Sequence, residues 1–149
     1  DLGAAFAYQN EPTVLQDTPG TALAAAAAAD GSTLTTGQAT PDGLVVRSFA
    51  ANGSLQWSST ACAGSNGRAV AAAQGGAVVA AGFRKGATAD ALVCKLSAGG
   101  ALLWEQVVDG GAGDDFGFAA RVLSDGVVIA GGRLATADAT RGWIAAFAP

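Results

Sequence analysis

GGAGDDFGFAARVLSDGVVIAGGRL, residues 110–134, decides how the chain is read, because its plan occurs three times. A Gly-rich loop leads into a short apolar segment, then a turn at Ser124-Asp125-Gly126, then Val127-Val128-Ile129-Ala130 and a glycine pair. GSNGRAVAAAQGGAVVAAGFR at 64–84 follows the same plan, and so does PGTALAAAAAADGSTLTTGQA at 19–39. The glycines that close the second segment, Gly37, Gly82 and Gly131, stand 45 and 49 residues apart. A period of that length, built of short segments punctuated by turns, is that of one four-stranded all-β unit.

Working outward, each unit opens on a first strand: Ala22 to Ala29, Ala69 to Ala73, and Phe118 to Val122. The six alanines at 24–29 favour a helix on propensity alone. Their counterparts, however, carry β-branched or aromatic residues and are shorter than the ~12 residues of a stable helix. All three are therefore read as strands, with small residues suited to the crowded centre of a ring. Asp30-Gly31, Gly75-Gly76 and Asp125-Gly126 predict two-residue hairpins. Second strands follow at Thr33 to Gly37, Ala77 to Gly82 and Val127 to Gly131. After a looser loop come third strands at Leu44 to Phe49, Ala91 to Leu96 and Trp143 to Phe147. Turns at Asn52-Gly53 and Gly99-Gly100 introduce fourth strands carrying Trp57 and Trp104, 47 residues apart. Their recurrence at the period predicts that both pack between sheets. Ahead of the first unit, AAFAY at 4–8 echoes AAFAP at 145–149, with a turn at Asn10-Glu11 and an outer strand at Thr13 to Gln16. The count is two strands before Ala22, four to Ala61, four to Val108 and three beyond. One segment, 1–149, thus divides into a partial unit at 1–18, units at about 22–62 and 67–109, and a partial unit at 116–149.

Composition narrows the function. Half of the 149 residues are apolar, 22 are glycine, charged residues make up 13% and the net charge is −4. No basic cluster exists to neutralise phosphates, which argues against nucleic acid as a partner. The longest apolar run, Ala22 to Ala29, falls well short of the ~20 residues of a membrane-spanning helix. There is no histidine, so Ser-His-Asp and Cys-His centres and His-bearing zinc sites are excluded. Glu11, Asp17, Glu105 and Asp109 are the carboxylates left for acid–base work, and no strand concentrates them. No cofactor is expected. A start at Asp1, with no methionine anywhere, reads as a processing site or the interior of a longer polypeptide.

With residues 110–119, Asp125-Gly126-Val127-Val128-Ile129-Ala130-Gly131 and the segment from Asp90 to Trp104 in view, the chain resembles the seven-bladed β-propeller repeat family of bacterial exported proteins. The resemblance covers nearly the whole length and implies an all-β, β-propeller-like fold of about three four-stranded antiparallel blades. It implies a scaffold more than a chemistry. Three blades do not close a ring of four to eight, so the expected partners are further blades of the same polypeptide or further copies of this chain. The function expected is a non-enzymatic structural or adhesive segment, secreted or at the cell surface. A carbohydrate-binding module is the alternative, and a fragment of a glycan-cleaving enzyme a weaker one.

Three features carry candidate chemistry. Asp109, Asp114 and Asp115 in a Gly-rich loop supply oxygens of the kind that ligate calcium, and equally carboxylates that cap turns through backbone N–H groups. Asn52-Gly53-Ser54 fits the N-glycosylation sequon and is also a preferred turn. Cys62 lies beyond a fourth strand and Cys94 in the third strand of the next unit. They bridge if packing brings their Cα atoms within ~7 Å; otherwise Cys94 is a small buried apolar residue. Val14, with Trp57 and Trp104, is expected to be buried between sheets.

Overall fold

A computed structural model describes residues 19–41 and 43–149. Val14, Glu11, Asp17 and the strands expected before Ala22 lie outside them. The described residues form an all-β fold of eleven strands with a single 3₁₀ turn at Gln74–Gly76. The first sheet holds β1 (Thr21–Ala27), β2 (Thr33–Gln38), β3 (Leu44–Phe49) and β4 (Leu55–Ser59). The second holds β5 (Asn66–Ala72), β6 (Val78–Lys85), β7 (Ala89–Leu96) and β8 (Leu102–Val108), and the third β9 (Phe116–Val122), β10 (Val128–Ala135) and β11 (Thr140–Phe147). Every pairing is antiparallel between chain neighbours, so each sheet is a meander. The first strands lie together, β1 on β5 and β5 on β9, and the sheets stack in chain order.

The alanine run is a strand because of what it meets. Ala24, Ala26 and Ala28, at the two-residue period of a strand, pack on the core shared by the first two sheets. Tertiary burial of one alternating face outweighs the few tenths of a kcal/mol per residue by which propensity favours the helix.

The repeat glycines mark a close approach. A Cβ on Gly37, Gly82 or Gly132 would collide with the carbonyl oxygen of Thr21, Asn66 or Phe116 on the neighbouring first strand. At each place the register shifts by a bulge. The third equivalent glycine is therefore Gly132 and not the expected Gly131: it follows the turn glycine Gly126 at the same spacing as Gly37 follows Gly31 and Gly82 follows Gly76.

The hairpins also differ from expectation. Ala28 N–H bonds Ser32 O while Gly31 N–H bonds Ala28 O, and the same pair of bonds recurs at 50–54, 97–101 and 123–127. These are three-residue loops, a turn followed by one glycine of positive φ: Gly31, Gly53, Gly100 or Gly126. Asp30, Asn52 and Asp125 keep negative φ and instead accept the N–H two residues on, from Ser32, Ser54 and Val127. The loops before the third strands are tighter than predicted. β6 continues through Arg84 and Lys85, which pair with Asp90 and Ala89 across a short turn, and β10 likewise reaches Ala135.

Two apolar layers hold the stack. Leu34, Leu44 and Val46 of the first sheet meet Val78, Ala80, Leu92, Cys94 and Leu96 of the second. The opposite face of the second sheet, Val79, Ala81 and Val93, meets Val128 and Ala130 of the third. A sheet covered on both faces needs continuous apolar strands, hence Val78-Val79-Ala80-Ala81 and Ala91-Leu92-Val93. Trp57 and Trp104 are half-buried at equivalent places, opposite Ser48 and Lys95. Each packs against one of these layers, Trp104 stacking on Phe147 at 5.8 Å between ring centroids.

Candidate functional site

Three features between the sheets hold polar chemistry. The first is the junction of the second and third sheets. Asp115 is fully buried. Its carboxylate accepts the N–H of Gly110 at 2.6 Å and of Ala135 at 2.5 Å, tying the loop to the end of β10. Its own N–H bonds Ala89 O at 2.6 Å, and Asp114 Oδ1 accepts Ala89 N–H at 2.9 Å. The acidic pair thus clips the edge of β7 to the start of the third sheet. Asp109 Oδ1 closes its own turn on Gly111 N–H at 2.7 Å. Of the three loop aspartates, Asp109 and Asp115 come together with Asp90, each offering a carboxylate oxygen within 4.8 Å of the others, while Asp114 is turned to Ala89. Asp90 was not singled out from the sequence. Its signal is the charge pair across the Gly86 turn, where Arg84 lies 3.6 Å from it.

Beside this junction, Arg68 of β5 stands over the rings of Phe83, Phe116 and Phe118 at 5.3, 5.2 and 5.5 Å. Arg133 covers Phe116 at 4.9 Å. Both guanidinium groups are placed by aromatic faces, an arrangement with no linear signature because its members come from four strands.

The second feature is covalent. Cys62 and Cys94 form a disulfide across 6.2 Å between Cα atoms, joining the β4–β5 connection to β7 and so the first sheet to the second. Both residues are buried. Nearby, Glu105 on β8 accepts the N–H of Ala63 at 3.0 Å.

The third is a groove of about 570 Å³ at the hairpin end of the stack. Its walls are the β1–β2, β5–β6 and β9–β10 turns, and Trp57, Gln56 and Ser48 close one side. Asp30 on its rim accepts both the hydroxyl of Ser32 at 2.6 Å and the Ser32 N–H at 2.9 Å. The hydroxyl first, then the backbone bond, hold its carboxyl below the ordinary aspartate value. A lowered folded pKa means that this turn's contribution is present above the ordinary aspartate pKa and is lost as pH falls through the lowered one. Ser32→Ala is expected to move the Asp30 titration back up, as read by carboxyl NMR; an unchanged midpoint would show that the hydroxyl does not hold it down.

Asn52 is exposed at the β3–β4 hairpin tip, its Oδ1 accepting Ser54 N–H and Oγ–H at 3.0 and 2.8 Å. Among the described residues, no helix is long and apolar enough to cross a membrane. Comparison with protein-family models and with curated proteins found no match to this sequence.

Proposed function

We propose that this chain is a non-catalytic structural segment of an exported or cell-surface β-propeller, an interaction scaffold whose third sheet receives a further sheet of the same repeat. One comparison carries the reading. Val46, Val93 and Ile144 occupy the same place in the third strand of their sheets, one residue past the partner of the repeat glycine. Val46 and Val93 are wholly buried against the following sheet, whereas Ile144 is 79% exposed. Ile129 and Gly131 repeat Val79 and Ala81 on the same face of β10. The third sheet thus presents the side that in the first two is covered by the next unit. A repeat unit buries such a face only against a neighbour. The match of shape, small at Gly131 and branched at Ile144, favours another sheet of this kind over a helix. The Cys62–Cys94 bridge supports an oxidising compartment.

The purified chain is expected to self-associate and to bind an apolar dye through this face. Ile144→Asp should lower both, by light scattering and dye fluorescence, with the far-ultraviolet circular dichroism unchanged. A wild-type chain that stays monomeric and dye-free at high concentration would remove the reading.

A further inference from the structure

We propose that the hairpin-end groove, lined by turns of all three sheets, binds a neutral saccharide of one or two pyranose rings. This goes beyond the scaffold reading and does not depend on it. The groove's volume of about 570 Å³ is within the ~300–1,000 Å³ usual for small-ligand sites. Its shape is set largely by backbone. Alanines and glycines make up much of the wall, and the turns that carry them are closed by their own hydrogen bonds. Gln74 Nε2 donates to Ser124 O, fixing the second turn to the third on one side of the groove. A ligand therefore meets a preformed site and little ordering opposes its binding.

The polar groups around this space keep unused capacity. Ser48 Oγ donates to Gln56 Oε1 at 2.7 Å, which fixes the amide and leaves its NH₂ without a protein partner among the described residues. Asp30 uses Oδ1 for both Ser32 bonds, leaving Oδ2 to accept from a ligand. The Trp57 indole N–H also makes no hydrogen bond among the described residues, unlike that of Trp143, which donates to Phe116 O. Two donors and an acceptor thus border a space that also has an indole and apolar contacts from Leu34 and Val122. A pyranose matches that mixture: hydroxyls around its rim, C–H groups on its faces. Charge selects among sugars. Asp30 is the sole charged residue of the lining and no cation balances it, so a sialic or uronic acid is repelled while neutral hydroxyls find an acceptor.

The test uses the whole chain and a panel of neutral methyl glycosides and disaccharides, with glucuronic acid as the anionic comparison, read by saturation-transfer NMR. At least one neutral sugar at ~10 mM is expected to receive saturation on its ring C–H protons, the concentration that reaches affinities in the millimolar range. Asp30→Asn, an exposed change that keeps the turn's acceptor oxygen, and Trp57→Ala should each weaken it about tenfold, or ~1.4 kcal/mol. Ile144→Asp should leave it unchanged, which separates this site from the scaffold face. No transfer to any neutral sugar overturns the proposal. So does transfer that is undiminished in the Asp30→Asn variant, where folding is not at issue, or a preference for glucuronic acid.

Discussion

Asp115→Ala is expected to cost roughly 2–5 kcal/mol of folding stability, because it removes a buried carboxylate and strips the acceptor from two part-buried N–H groups at once. Gly110 and Ala135 lose their bonds to this carboxylate, and no other acceptor is shown for either N–H. Asn in its place keeps one oxygen but turns an NH₂ toward a donor, so Asp115→Asn is expected to recover only part of the loss. Urea denaturation gives the magnitude, and amide exchange at Gly110 and Ala135 gives the location. A midpoint shift worth less than ~0.5 kcal/mol would return Asp115 to the range of ordinary surface positions. That result would contradict the role of the acidic pair as a clip between sheets.

Removing the bridge, by Cys62→Ala with Cys94→Ala, is expected to cost about 3–4 kcal/mol on loop-closure grounds, given a sequence separation of 32 residues. The readout is the guanidinium midpoint with and without reductant. Wild type should move on reduction toward, and no further than, the value of the double variant, and the variant should not respond. Cys94 lies in the layer between the first two sheets, so the alanine pair also loses some packing, and the loss without reductant sets an upper limit on the bridge itself. A reductant response that is the same in both proteins would falsify the assignment.

The sequence signals differ in how far they reach. Strand positions are legible because glycine-closed turns are local, and comparison with the repeat counterparts overrules the helical bias of Ala24 to Ala29. The turn glycines are legible in the sequence, but the dipeptides predict loops one residue too short: Asp-Gly and Asn-Gly satisfy either hairpin, and only the backbone bonds distinguish them. Arg84, Lys85 and Asp90 fall in the loop expected between Gly82 and Ala91. They are strand residues because cross-strand pairing satisfies them. The candidate sites were less legible still. Asp90 meets Asp115 only because the second and third sheets are stacked, and the groove takes its lining from three turns about fifty residues apart in sequence. No window of sequence contains either. Cys62 and Cys94 were readable as a pair only conditionally, since their meeting depends on how one sheet lies on the next.

The Cys62–Cys94 bond also determines how the chain would bear tension. A pull applied at Pro19 and at Pro149 enters the bridge at Cys62, in the β4–β5 connection, and leaves it at Cys94, bypassing the 32-residue separation between them. About 110 Å of potential extension, at ~3.4 Å per residue, is locked away however hard the ends are drawn. β5 and β6 lie inside that locked length, whereas the third sheet depends on hydrogen bonds and side-chain packing alone. Under load in oxidising surroundings the first and third sheets, both outside that loop, can lengthen, while the covalent loop holds the middle of the chain short.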